Sequence, residues 1–318
     1  MPRFPVGRSD PMRRLGLRWA DFSAMPVARR FQPLVDRVMS AQNQGRDMQL
    51  APEDKLISLL NSVPLPAYCA GVNLVSALRG YKHRVRLHGT DGTLLVSDAD
   101  AAIHICRRGR HRRYRRGVQA GITDLVRQYQ IDRLDIPGGG TFIDCGANVG
   151  EMGFWARSRG MRYVAFEPEP AEARCCDLNN FDGRADTHRA ALWKEPAMLT
   201  FHSKPDTGDG SIFEMDASTG ATQVQGVRLD DAVHIDDAAG PNIFKLEAEG
   251  AEPEVLAGAE ASLQNIDYVA VDCGYERGRA QQHTFVEVNS FLAERGFRLV
   301  EAQFRRVTAI YRNTARQP

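Results

Sequence analysis

From Thr141 onward the chain switches repeatedly between two hydrophobic periods, and this alternation constrains its fold more than any other feature. "TFIDCG", "RYVAFEP", "THRAALW", "NIFKLEA", "DYVAVDCG", "FRLVEA" and "VTAIYRN" read as strands. "PAEARCCDLNNF" and "PEVLAGAEASLQ" read as helices between them. Strands alternating with helical stretches predict an open, mostly parallel seven-stranded sheet with helices on both faces, an α/β fold. Ligands of such sheets lie beyond the carboxyl ends of the strands. The residues that end each strand are therefore the candidates for function.

Ahead of this region the pattern differs. "VARRFQPLVDRVMSAQN" spaces Phe31, Leu34, Val35, Val38 and Met39 along one helical face. "PEDKLISLLNSV" opens with proline and acids, as helices do. Residues 1–81 are thus expected to form a helical appendage that packs on the main domain or on a second copy, so a homo-oligomer built through it stays open. "HRVRLHGTDGTLLVSD" alternates around Asp91-Gly92, a hairpin signature, and "AAIHICRR" adds a strand. Residues 82–140 then form a β-hairpin and basic segment leading into a main domain at 141–318.

Composition excludes some classes. A net charge of +1 over 318 residues gives no general attraction to nucleic acid. No apolar run approaches the ~20 residues of a membrane helix. The arginine-rich N-terminus lacks the apolar core of a secretory signal. The six cysteines contain no C-x-x-C pair, which argues against zinc. Reduced thiols in a cytoplasm are the expectation.

"FIDCGANVGEMG" places Asp144 at a strand end, followed by Gly146 and Gly150 around a tight turn. Glycines there let the backbone approach a ligand, and the next helix begins with free N–H groups. The next strand ends in Glu167, about twenty residues further on, the spacing that catches ribose hydroxyls. The turn is not G-x-G-x-x-G, because position 148 is Asn. An acid at the first strand end would also face phosphates. It suits a cationic adenosyl ligand such as a sulfonium.

"FIDCGANVGEMG", "AFEPEP", "LNN", "AAL", "LDD" and "KLEAEGAEPEVLAGA" occur in that order. In this the chain resembles the FkbM family of S-adenosylmethionine-dependent methyltransferases, from about Arg115 to Arg312. The resemblance implies a class I, Rossmann-like methyltransferase fold. It implies that Asp144, Gly146, Ala147, Asn148 and Gly150 line the methionine end of S-adenosyl-L-methionine. Glu167 would hold the ribose, with Pro168 beside it among the cofactor-binding residues and Asn179 and Ala191 toward the adenine. Family members methylate hydroxyls of sugars or natural-product scaffolds, so the expected reaction is O-methylation of a sugar hydroxyl in a glycan or glycosylated metabolite. The family usually has Asp where this chain has Glu247, which keeps the charge and adds one methylene.

Four glutamates cluster in "FKLEAEGAEPEVL". Glu252 and Glu254 flank Pro253 at a helix start, where acids favour the dipole. Glu247 and Glu249 lie nearer the strand end, where the acceptor belongs. A carboxylate there can take the hydroxyl proton, or can hold a divalent cation, Mg²⁺ or Mn²⁺, that acidifies it. Asp272, ending the next strand, can join either arrangement. The plainer alternative is that Lys245 pairs with these acids.

"CRRGRHRRYRRG" packs seven arginines around His111 and Tyr114. Three readings stand: a solvated face, a polymer-binding or membrane-binding patch, or a platform of Arg112, Arg113 and Tyr114 that receives an anionic acceptor. "HSKPDTGDGSIFE", which carries Ser211, is expected to act as a lid touching the acceptor, or as an irregular loop. A non-catalytic scaffold that binds the donor and recruits an anionic polymer is the reading from another class.

Overall fold

The computed structural model describes residues 63–203, 210–213, 220–236 and 240–316. The helices expected in "VARRFQPLVDRVMSAQN" and "PEDKLISLLNSV" lie outside them, apart from Val63. All described residues belong to one compact unit, Asp47–Pro318. The chain enters through helix α1 (Leu65–Arg79), begun by Pro64 and stopped by Gly80 in a left-handed cap. Strands β1 (Arg84–Leu87), β2 (Leu94–Ser97) and β3 (Ala102–Ile105) follow as an antiparallel sheet, the first two joined through the expected Asp91-Gly92 turn. The arginine run coils into a 3₁₀ turn over Arg108–Tyr114, and helix α2 (Val118–Gln128) leads into the main sheet.

That sheet holds β4 (Thr141–Cys145), β5 (Arg162–Phe166), β10 (Ile243–Leu246), β11 (Tyr268–Asp272), β12 (Phe297–Gln303) and β13 (Thr308–Asn313). The order across it is β12-β13-β11-β10-β4-β5. Strands β5, β4, β10 and β11 are parallel, and β13 runs antiparallel to both its neighbours. Every residue of β4, β10 and β11 is buried, as expected for parallel strands covered on both faces. Helices α3 (Glu151–Ser158) and α4 (Pro170–Asn180) follow the first two parallel strands.

The sheet is mixed and has six strands rather than seven. The segment read as the third strand makes one parallel bridge, His188 to Phe166. It then leaves as β6 (Ala191–Leu192) for a second sheet with β7 (Ala197–Ser203), β8 (Gly210–Ser211) and β9 (Gly220–Val227), in the order β6-β9-β7-β8. The cause is the long β7–β9 pairing, which gives β6 a parallel partner at Gly226 and Val227. A short helix, α5 (Leu229–Ala232), returns the chain to β10.

The helix expected over "PEVLAGAEASLQ" is also shorter. Helix α6 (Glu252–Ala257) stops at Gly258, and a 3₁₀ turn at Ser262–Asn265 completes the crossover. A Cβ on Gly258 would lie 2.0 Å from the Trp193 carbonyl oxygen, so the backbone passes too closely for a continuing helix with side chains there. Val255, Leu256, Ala259 and Leu263 are nonetheless all buried, as their spacing indicates. Helix α7 (Phe285–Glu294) precedes the β12–β13 hairpin.

One hydrophobic cluster joins Tyr68, Val72, Val85, Val96, Ile103 and Tyr129 of the front segment to Phe142, Trp155 and Ile310 of the main domain. Fully burying such side chains stabilises by roughly 1.5–3 kcal/mol each. The boundaries expected near 82 and 141 fall inside this shared core.

Candidate active site

The carboxyl ends of β4, β5 and β10 open onto a cleft of about 220 Å³. Strand β4 delivers Asp144, and the chain then turns through Gly146, with φ 71°, and Asn148, with φ 50°. A Cβ on Gly146 would stand 2.2 Å from the Glu247 carbonyl oxygen, so only glycine fits where this turn touches β10. Strand β5 delivers Glu167, which is 6% exposed. Its carboxylate accepts from the Asn148 N–H at 2.8 Å and the Glu169 N–H at 2.9 Å, so it spans the glycine turn and its own loop. Burial pushes its pKa up to about 7.

Of the residues expected around the donor, Asp144, Gly146, Ala147, Asn148, Glu167, Pro168 and Ala191 line the cleft. Phe166, Leu192, Phe201 and Ile212 add apolar wall on the side of the second sheet. Two expected residues do different work. Gly150 lies beneath the turn, with φ 80°, where a Cβ would meet Asn180 Nδ2 at 2.2 Å. Asn179 is off the cleft wall. It donates to the carbonyls of His104, at 3.0 Å, and Val149, at 2.7 Å, and accepts from the His104 N–H at 2.8 Å. It therefore fastens β3 to the glycine turn.

A chain of alternating charges crosses the strand ends. Lys245 is 2% exposed and is paired in register with Asp144 on the neighbouring strand. Its Nζ lies 3.0 Å from Asp144 Oδ1 and 3.2 Å from Glu247 Oε2, and it donates to the carbonyls of Cys145 and Gly146. The Tyr163 hydroxyl donates to the other Asp144 oxygen at 2.7 Å. Arg306, from the β12–β13 turn, then donates to Asp272 at 2.7 Å and lies 3.3 Å from Glu247. Burial works against the Glu247 charge, but Lys245 and Arg306 outweigh it and hold its pKa at about 2. Burial, together with the Glu247 charge, pushes Asp272 up to about 6.

The plainer alternative for Glu247 is thus realised: it is ion-paired. It also lines the cleft, whereas Asp272 is 1% exposed and lies behind Arg306, off the cleft wall. Among the described residues no group of three or more His, Cys, Asp or Glu is placed to hold a metal ion. Arg306 had no sequence signal, since it comes from a hairpin turn far along the chain.

The other glutamates separate. Glu249 lines the cleft from a left-handed backbone position, φ 50°, and its carbonyl accepts from Ser211 Oγ at 2.8 Å. Ser211 is fully buried by this contact, so it pins the loop and does not present its hydroxyl to an acceptor. The loop is braced by Glu252, whose carboxylate accepts from the N–H groups of Ala248 and Gly250 and from the Thr284 hydroxyl. Burial pushes Glu252 up to about 7. Glu254 forms a two-pronged pair with Arg277, at 2.8 and 2.6 Å.

The arginine run is largely folded into the protein. Arg107 pairs with Glu172, and Arg116 with Asp124. The Arg108 guanidinium sits 5.0 Å from the Tyr68 ring centroid and donates to the Val63 carbonyl. Arg110 donates to Glu151, at the first position of α3, at 2.6 and 3.0 Å, and the buried Tyr114 hydroxyl donates to the same oxygen at 2.7 Å. Of the platform expected from Arg112, Arg113 and Tyr114, only Arg113 reaches the cleft.

A glycine turn after the first parallel strand, an acid closing the second and a cleft at the strand ends define an α/β protein with its candidate site at the carboxyl edge of the sheet. Residues 144–299 match the family described as the methyltransferase FkbM domain, which indicates a methyltransferase. Comparison with curated proteins gave no match. No helix among the described residues is long and apolar enough to cross a membrane.

Proposed function

We propose that this protein is an S-adenosylmethionine-dependent O-methyltransferase whose acceptor is a hydroxyl of a sugar, in a glycan or glycosylated metabolite. The observation that carries the donor reading is the cleft's division. Carboxylates, Asp144, Glu167 and Glu247, stand along the strand ends, and apolar Ala191, Leu192, Phe201 and Ile212 from the second sheet and its loops line the same cleft. Those residues fit a cationic adenosyl ligand: Glu167 accepts from ribose hydroxyls, the apolar wall covers the base, and the acids suit positive charge.

The bound donor supplies a methyl group already activated by its sulfonium. The chain's own contribution is alignment and exclusion of water. Glu247 faces the cleft as a fixed anion and accepts a hydrogen bond from the acceptor hydroxyl, which orients the oxygen. A carboxylate held this low is a weak base. The hydroxyl becomes much more acidic as its oxygen gives up a lone pair, so Glu247 needs to receive the proton only late in the transfer. Lys245 and Arg306 keep the carboxylate charged and in place.

Calorimetry tests the donor. S-adenosylhomocysteine should bind and NAD should not, and Glu167→Ala should weaken binding by roughly 1.5–3 kcal/mol. NAD binding with no response to S-adenosylhomocysteine would overturn the reading. Mass spectrometry of glycans from a deletion strain tests the acceptor, through loss of an O-methyl group.

A further inference from the structure

Six carboxylates and four cationic side chains line the cleft. Three of the cations are already engaged. Arg110 is given to Glu151, Lys245 to Asp144 and Glu247, and Arg306 to Asp272 and Glu247. Arg113 differs. It is exposed, it lines the cleft, and among the described residues no hydrogen bond or ion pair uses its guanidinium.

Its position is nonetheless fixed. Arg113 lies on the 3₁₀ turn Arg108–Tyr114, and the residues on either side of it are anchored to one Glu151 oxygen, Arg110 at 2.6 Å and Tyr114 at 2.7 Å. The Tyr114 ring also packs on Gly121 of α2, where a Cβ would come within 2.7 Å of it. Glu151 directly follows the glycine turn, so the 3₁₀ turn presents Arg113 to the cleft that Gly146, Ala147 and Asn148 also line.

The amino-acid end of the donor is a zwitterion. Its ammonium and sulfonium suit the acids at the strand ends, but its carboxylate is repelled by them and needs a cation. We infer that Arg113 binds the α-carboxylate of the methionine portion of the donor. This deepens the donor reading above and rests on it. A guanidinium offers a planar pair of N–H groups that matches a carboxylate, and the anchored turn fixes the backbone from which it reaches. The Arg113 charge also acts on Glu151, but unlike Arg110 it gives that carboxylate no hydrogen bond.

The test compares two ligands that differ at this end, S-adenosylhomocysteine and 5′-methylthioadenosine, which keeps the nucleoside and lacks the carboxylate. Titrated calorimetrically into the full chain, Arg113→Ala should weaken S-adenosylhomocysteine by about 10- to 100-fold, the range of charge-assisted hydrogen bonds. 5′-Methylthioadenosine should bind the variant and the parent within about twofold. Arg113→Lys should recover part of the loss. Unchanged S-adenosylhomocysteine binding in Arg113→Ala would overturn the assignment, and so would an equal loss for both ligands. A parent chain that binds neither ligand would instead overturn the donor reading itself.

Discussion

Lys245 and Asp144 sit side by side on adjacent parallel strands, in register, with Nζ 3.0 Å from Oδ1 and both side chains almost wholly buried. The pair joins the strand that leads into the glycine turn to the strand that carries Glu247. A buried pair of this kind contributes little over an apolar replacement, but breaking it strands a charge.

Lys245→Met should therefore cost about 3–5 kcal/mol in urea unfolding. It leaves Asp144 and Glu247 facing each other without their shared cation. Lys245→Met combined with Asp144→Asn should lose less than the single variant, because one uncompensated charge is removed. Equal midpoints for parent and single variant would show the pair to be energetically idle.

Stability should fall as pH rises through the near-neutral range. Glu167 and Glu252 are each pushed up to about 7 in the fold, from an ordinary value of 4.5. The folded chain keeps protons that the unfolded chain releases. Their contribution is full below about 4.5 and is lost as pH climbs to about 7, at up to ~1.4 kcal/mol per unit for each group. Asp272, at about 6, acts in the same direction. Glu247, at about 2, contributes oppositely, but only below 4.5. Urea midpoints should be higher at pH 5 than at pH 7.5, and Glu252→Gln should shrink the difference.

Glu247→Gln should lower methyl transfer by roughly 10²–10⁴ while leaving S-adenosylhomocysteine affinity within about twofold. A labelled donor and the glycan fraction of a deletion strain give the assay. EDTA should not change the parent's rate, because the Arg306 guanidinium contacts both carboxylates that a metal would need. Loss of activity to the chelator, restored by Mg²⁺ or Mn²⁺, would refute this arrangement.

Gly146→Ala should destabilise by about 2–4 kcal/mol and abolish donor binding, since the new methyl meets the Glu247 carbonyl oxygen at 2.2 Å. Gly160→Ala is the control. It has a similar φ, 67°, with nothing within 4 Å of the added carbon, so only the backbone cost of roughly 1 kcal/mol applies. Thermal melts and calorimetry on both variants separate close approach from backbone strain.

The central strands were legible in the sequence because they are covered on both faces and so appear as unbroken apolar runs. The β7–β9 hairpin was not. "AMLTFHS" and "ATQVQGV" alternate, but a polar, glycine-rich stretch lies between them and reads as an interruption. Asp144, Glu167 and Glu247 could be found because strand ends mark the cleft. Arg306 could not, since it lies 59 residues beyond Glu247 in a hairpin turn, and such a separation leaves no local pattern. Asn179 was placed toward the adenine by the family resemblance, and Ser211 toward the acceptor by the loop that carries it. A short polar side chain beside a site satisfies backbone groups as readily as it does a ligand, and only the fold distinguishes the two.

Through Asn179, helix α4 holds an edge of the front sheet and the glycine turn with one side-chain amide. The front segment and the glycine turn are thus mechanically joined. A chimera that exchanged residues 63–140 with a relative's counterpart would have to bring along a matching α4, or the turn that shapes the cleft would lose its tether to β3.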